Sequence, residues 1–526
     1  MNPKHLPILL VFLAATATLT AQDTRPKKYP SLLWEITGNG LKEASYLFGT
    51  MHVSSKMVFH LSDSFYNCIR NSEMVALELD PAVWQTEMVR MQKMETNLRY
   101  FSQQLPRQYL NEKSFQLRSY EERIQEALSD VPYVINSLLY RSYQDQADFE
   151  EDTYLDLYIY QTGKKLGKLT TGVENYYETE KLIIEAYQDM AQEKKKKTAS
   201  SYMEAPYEIE KKAQEAYRKG DLDLLDSLER ILQSSEAFME KFLYLRNEIQ
   251  ANSIDTILRK HSLFVGVGAA HLPGERGVIE LLRRKGYQLR PIVMQDRDAE
   301  EKERIDKMRV KVDFQSYTAD DGLFSVMVPG PLYRKEENMV NQGFQFADMS
   351  NGSYYMVNRV RTNAPVFGHT EATVVKKIDS LLYENIPGRI IKRTSISRNG
   401  YPGFDITNRT RRGDIQRYHI FVLPFDILVF KMSGIDDYVQ GEEAETFFNS
   451  IQLAPAMSES GQNYEPPQGG FRINFPTKPS VISNLDAEDY LNVWEYASYD
   501  KKSGNAYALW KKNVYNFDFI EEDSFD

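Results

Sequence analysis

An apolar run ending in Gly-x-x-His occurs twice in this chain. The first is Tyr46-Leu47-Phe48-Gly49-Thr50-Met51-His52, and the second, far downstream, is Leu263-Phe264-Val265-Gly266-Val267-Gly268-Ala269-Ala270-His271. A short apolar run that stops at glycine reads as a buried strand, and glycine lets the backbone turn sharply. A histidine three residues on then sits at the strand's carboxyl end, the edge where open α/β sheets bind ligands. The whole chain has only seven histidines, so two of them in matched contexts exceed what composition supplies.

The flanking pattern repeats as well. After His52 come a helix around Ser62 to Asn71 and a strand from Met74 to Leu77 that ends in Glu78-Leu79-Asp80. After His271 come a turn at Pro273-Gly274, a helix from Val278 to Lys285 and a strand from Tyr287 to Val293. Between them, Pro81 to Asn252 reads as mostly helical, with Leu224, Leu225, Leu228, Ile231 and Leu232 at helical spacing. The expected fold class is α/β: a pseudo-duplicated mixed-sheet domain with a large helical insertion over residues 30–305, its two histidines converging on one pocket.

Beyond residue 310 the chain turns β-rich, with runs at Phe324 to Val328, Tyr354 to Val360, Gly403 to Asn408 and Tyr418 to Met432. An amphipathic helix from Glu371 to Tyr383 and a short one from Glu442 to Ser450 complete an α+β accessory module with antiparallel sheet over 315–453. Phe324-Ser325-Val326-Met327-Val328-Pro329-Gly330-Pro331 then recurs as Phe471-Arg472-Ile473-Asn474-Phe475-Pro476-Thr477-Lys478-Pro479. Residues 471–526 therefore read as the start of a second, incomplete copy, after a linker at 454–470 rich in Ser, Gly, Pro and Gln.

Residues 1–22 carry Lys4 and His5 ahead of an apolar run from Leu6 to Leu13 and a small-residue stretch ending near Ala21-Gln22. This is the pattern of a cleaved secretory signal, and it implies an exported, soluble protein, periplasmic or extracellular. No stretch approaches the twenty apolar residues of a transmembrane segment. Cys68 is the only cysteine, which excludes an intramolecular disulfide and a thiolate metal cluster; its neighbours Phe65, Tyr66 and Ile69 mark it as a small core residue. A formal net charge of −11 argues against a nucleic-acid partner. Two imidazoles and a carboxylate form a metal-ligand set that leaves positions for water and substrate. Glu78, ending the strand after the first Gly-x-x-His unit, is the natural carboxylate.

These residues carry a resemblance. Tyr46 to Val53, Val75-Ala76-Leu77-Glu78-Leu79-Asp80, Arg246-Asn247, and Val267 to Leu272 with Gly274 and Gly286-Tyr287 resemble, in order and spacing, the TraB/GumN family, which includes the Tiki metalloproteases. The likeness covers about Leu32 to Val293. It implies a divalent-metal site holding Mn2+ or Co2+, with Zn2+ as an alternative, on His52, Glu78 and His271. It also implies peptide hydrolysis in which Glu78 and Arg246 are catalytic, Arg246 polarising a substrate carboxylate or oxyanion. Asp156 and Glu174 resemble further acidic positions of the family, although Val173 stands where the family has Leu; Glu174 is open between a further ligand and a structural cap.

The function these readings imply is an exported metal-dependent hydrolase, a peptidase using metal-activated water on a peptide or protein substrate. The alternatives are a non-catalytic peptide-, haem- or metal-binding protein with the same pocket, or a hydrolase of non-peptide esters. The β-rich region is similar, more distantly, to Mog1/PsbP-like modules, matching at Gly322 to Pro329 and Phe447 to Leu453, with Leu323 interposed. Its His369 and His419 are isolated, so its expected role is to bind a protein or surface partner.

Overall fold

The computed structural model describes residues 27–51, 61–90, 120–130, 154–194, 206–232, 235–294, 300–335, 341–411, 413–434, 436–455, 461–484, 493–500 and 502–512. The signal segment and His52 lie outside the described residues. The chain divides into two compact units, one of residues 1–51, 57–78 and 173–301, the other of residues 52–56, 79–172 and 302–526.

In the first unit, β1 (Leu33–Gly38), β2 (Ser45–Thr50), β3 (Met74–Leu77), β4 (Leu263–Gly268) and β5 (Tyr287–Ile292) lie in the order β3-β4-β2-β1-β5. β4 runs parallel to both β2 and β3, while β1 is antiparallel to β2 and to β5. Every residue of β4 is buried, as an unbroken apolar run requires of a central parallel strand. Its register sets Gly49 against Val267 and Thr50 against Gly268. The two repeated motifs thus run side by side and leave the sheet at the same edge. On one face, α1 (Asp63–Asn71) inserts Phe65 edge-on to Phe48 at 4.9 Å and to Phe264 at 5.3 Å. Helices α2 (Tyr176–Lys194), α3 (Pro206–Arg218), α4 (Leu222–Leu232) and α5 (Leu245–Leu258) separate β3 from β4; α6 (Val278–Arg284) connects β4 to β5.

The motif glycines act differently from a turn device. Gly268 has φ −51° and ψ 135°, backbone that any residue can adopt. Gly49 is needed for space, because a Cβ there would meet the Cα and Cβ of Ala269 at 3.2 Å. The two motifs touch through that glycine, so close approach of chains is its physical role.

In the second unit, β6 (Gln315–Thr318), β7 (Phe324–Val328), β8 (Tyr333–Lys335), β9 (Asn341–Asp348) and β10 (Ser353–Arg361) precede α7 (Glu371–Asn385). Four long strands follow, β11 (Arg389–Arg398), β12 (Tyr401–Arg409), β13 (Ile415–Val422) and β14 (Asp426–Gly434), then α8 (Glu442–Asn449) and β15 (Gln452–Leu453). An antiparallel seven-stranded sheet runs β11-β12-β13-β14-β10-β9-β8, beside a three-stranded β15-β7-β6. Val374, Ile378 and Leu382 of α7 share one core with Phe404, Ile406, Tyr418 and Ile420. Ile124 and Leu128, from a helix at Glu121–Ser129, and Tyr120 just before it enter the same core.

Within residues 454–470 the structure forms β16 (Gln462–Tyr464), paired with β17 (Ile473–Phe475). A meander of β18 (Ser480–Asn484), β19 (Val493–Tyr499) and β20 (Ala506–Lys512) follows. This repeats the order of the β6–β7 hairpin and the β8-β9-β10 meander. Gln315-Ser316-Tyr317 precedes Phe324 at the spacing at which Gln462-Asn463-Tyr464 precedes Phe471, and Gly322 and Gly469 both take positive φ, 71° and 66°. The two copies lock through buried charge. Arg359 and Arg361 bind Asp426 and reach Ser480 at 3.2 and 2.9 Å, while Arg361 faces Glu495 at 3.3 Å. Among the described residues no helix is long and apolar enough to cross a membrane.

Candidate functional site

α5 buries apolar Ile254 and Leu258 toward its end, yet its first turns bury Arg246, Asn247 and Gln250, each 5% exposed or less. Three fully enclosed polar side chains on one helix require partners there. Immediately before α5 the backbone widens into a single π turn, Glu240–Tyr244, a device that recurs at functional sites.

Glu78 leaves β3 at the sheet edge and is buried. Its Oε1 accepts from the Gly268 backbone N–H at 2.6 Å, at the end of β4, and its Oε2 accepts from Arg246 Nη2 at 2.7 Å. Past the second-unit segment the chain returns alongside β3, with Val173 N–H donating to Leu77 O and Glu174 N–H to Glu78 O, both at 2.8 Å. That ladder places the Glu174 side chain beside Glu78. Glu174 accepts from Arg246 Nε at 3.0 Å, Gln250 Nε2 at 2.5 Å and Thr179 Oγ1 at 2.5 Å. Arg246 Nη1 donates to Phe242 O in the π turn at 3.3 Å, so each of its three nitrogens donates within the protein.

His271 ends a 3-10 turn, Ala269–His271, that follows β4, and it is 5% exposed. Its Nδ1 meets Asn247 Oδ1 at 2.6 Å, and Asn247 Nδ2 donates to Arg276 O at 2.8 Å. The second bond orients the amide, so Nδ1 must carry the proton on the first. Nε2 is left facing Glu78 Oε1 at 3.5 Å.

Burial pushes the Glu174 carboxyl above the usual range, and the negative charge of Glu78 adds to the shift. Burial opposes the charged Arg246 guanidinium, but Glu78 and Glu174 outweigh it and hold its pKa above the ordinary value. Cys68, on α1, has its thiol pushed to about 12 by burial, which keeps it neutral and inert.

The structure therefore brings together three of the residues singled out from sequence, Glu78, Arg246 and His271, and joins Glu174 to them. Asp156 is buried on a helix, Leu155–Lys165, of the second unit. Asn247, Gln250 and Thr179 had no assigned role. The signal for two of them was present: Arg246 and Gln250 stand four apart, on one helix face, and Asn247 adjoins Arg246.

Residues 32–291 match the model of the TraB/PrgY/gumN family. This domain belongs to that family. No curated protein matches the chain. Among solved structures, a crystal structure from Bacteroides thetaiotaomicron VPI-5482 is 11% identical, with a TM-score of 0.19, covering 32% of this chain and 53% of its own. Cyanobacterial PsbP from Synechocystis sp. PCC 6803 is 10% identical with a TM-score of 0.20, covering 27% of this chain and 94% of its own. A Pseudomonas aeruginosa protein of unknown function is 14% identical with a TM-score of 0.17, covering 25% and 89%. The TraB/PrgY/gumN domain thus holds the whole described cluster.

Among the described residues no group of three or more metal-ligating side chains occurs; of the implied set, Glu78 and His271 are described. These two fit a cation. Neighbouring ligands of one divalent ion stand roughly 3.0–3.5 Å apart, which is the separation of His271 Nε2 and Glu78 Oε1. A ligating histidine donates its other ring N–H to an oxygen, as Nδ1 does here to Asn247.

Proposed function

We propose that the TraB/PrgY/gumN domain is a metal-dependent hydrolase acting on peptides, exported with a mature terminus near Gln22. His52, Glu78 and His271 would hold the divalent ion, Mn2+ or Co2+ with Zn2+ as the alternative. Its chemistry is to activate water for attack on an acyl carbon. The observation that carries this reading is the buried contact of Glu78 with His271, each oriented by its own partner. Gly268 N–H and Arg246 aim the Glu78 carboxylate; Asn247 sets the His271 tautomer. Arg246 is itself clamped by Glu174, which makes its first role the positioning of Glu78, with the steadying of negative charge on substrate as its second.

The test is metal content of the purified full chain, followed by peptide-library hydrolysis with and without chelator. The expected result is a bound divalent ion and cleavage that chelator abolishes, both lost in His271→Ala. Full metal retention in His52→Ala/His271→Ala would reject the assignment. Metal retention without hydrolysis of peptides or esters would favour the non-catalytic metal-binding alternative.

A further inference from the structure

A cavity of about 730 Å3 opens between the two β copies of the second unit. It is in the size range of small-ligand sites. Phe344, Tyr401, Tyr464 and Trp494 contribute aromatic surface, the first two from the first copy and the others from the second.

Its wall carries four carboxylates, Asp320, Asp321, Asp426 and Glu465, and three cations, Arg334, Arg359 and the exposed Lys478. Asp321 and Asp426 are taken up by Arg359, at 2.7 and 3.1 Å. Glu465 is bound by Arg472 at 2.7 Å, and Asp320 is exposed at the rim. Arg334 differs. It is half-buried and lines the cavity. Among the described residues it has no carboxylate partner; its Nη2 donates to the backbone oxygen of Ser483 at 2.6 Å. Gln342 Nε2 donates to the same oxygen at 2.7 Å, which holds β9 and β18 at a fixed separation beneath the cavity. A guanidinium anchored by one nitrogen, within an aromatic wall, presents its remaining donors in the planar fork that suits a carboxylate.

We propose that this cavity binds a small apolar carboxylate, its acid group on Arg334 and its hydrocarbon or aryl body against Phe344, Tyr464 and Trp494. The site needs both copies, because Arg334 and Phe344 come from one and Tyr464 and Trp494 from the other. It gives the second copy a function beyond support.

The experiment uses the full chain and three matched probes, octanoate, octanol and octylamine, titrated by calorimetry, with Trp494 fluorescence as a second readout. Octanoate is expected to bind at least tenfold tighter than octanol, with octylamine weakest. Arg334→Gln should weaken octanoate about tenfold to a hundredfold and leave octanol unchanged, while Arg334→Lys keeps part of the preference for the acid. Trp494→Phe should abolish the fluorescence response to octanoate but not the calorimetric one. Equal binding of acid and alcohol, preference for the amine, no binding of octanoate, or an unaltered octanoate affinity in a folded Arg334→Gln chain would each overturn the proposal.

Discussion

Asn247 touches no substrate in the proposed reaction, yet it decides which nitrogen of His271 faces Glu78. Its amide oxygen holds the Nδ1 proton, and its own nitrogen is tied to Arg276 O. Asn247→Leu should weaken divalent-ion retention about tenfold to a hundredfold, the usual cost of losing a ligand's orienting partner, and Asn247→Asp, which keeps the acceptor, should restore most of it. Competition against a chelator of known affinity measures both; equal retention in Leu and Asp variants would show that the residue only fills space. In the second unit Asp426 plays a structural part. Burial alone would raise its pKa, but Arg359 and Arg361 outweigh burial and lower it. A folded value below the unfolded one, near 4, means that the stabilisation is complete above that value and is lost as pH falls through the lower folded value. The melting temperature of the second unit should therefore decline below about pH 4. Asp426→Asn should cost about 3–5 kcal/mol at neutral pH by removing the buried carboxylate that the two guanidiniums share, leaving Arg359 with Asp321 and Arg361 with Glu495, and should flatten the acid decline. A variant with the same acid limb as the parent would exclude this role.

Among the elements, the helix Glu121–Ser129 joins its core most unexpectedly. Its burial of Ile124 and Leu128 against α7 and the long strands makes a segment from the amino-terminal half part of the β-rich core. Leu128 is 1% exposed, so Leu128→Ala should destabilise by about 2–5 kcal/mol, in the same denaturation transition that Ile378→Ala shifts. A shift below about 0.5 kcal/mol, the range of surface changes, or a shift in a different transition, would detach the helix from that core. The strand Gln462–Tyr464 makes a parallel point. Its stretch is rich in Pro, Gly and Gln, which reads as a linker, yet three residues alternate well enough to pair with Ile473–Phe475. Composition averages over a segment, whereas pairing needs only a few residues and a partner strand.

At the scale of the molecule, the return of the chain at Val173 and Glu174 to the end of β3 makes residues 79–172 an insertion whose two ends lie side by side. A chain lacking 302–526, with 79–172 replaced by a short Gly/Ser bridge, should fold and retain its divalent ion. The same truncation with 79–172 kept should aggregate, because Tyr120, Ile124 and Leu128 lose their core. Size-exclusion chromatography and metal analysis of the two chains decide this; aggregation of both would mean that the first unit cannot stand alone. Much of that first unit was legible from residues. Apolar runs of strand length, each ending in Gly-x-x-His, specified buried strands, and Glu78 at a strand exit marked the edge, because local hydrophobic pattern dictates which segments must be covered; that the two strands lie side by side came from the structure. The pairing of Arg246 with both Glu78 and Glu174 was not legible, nor were the tautomer-setting bond of Asn247, the steric role of Gly49, and the membership of residues 121–129 in the distant β core. Each of these depends on which groups meet across long sequence separations. Burial makes those meetings energetically decisive only once the chain has closed around them.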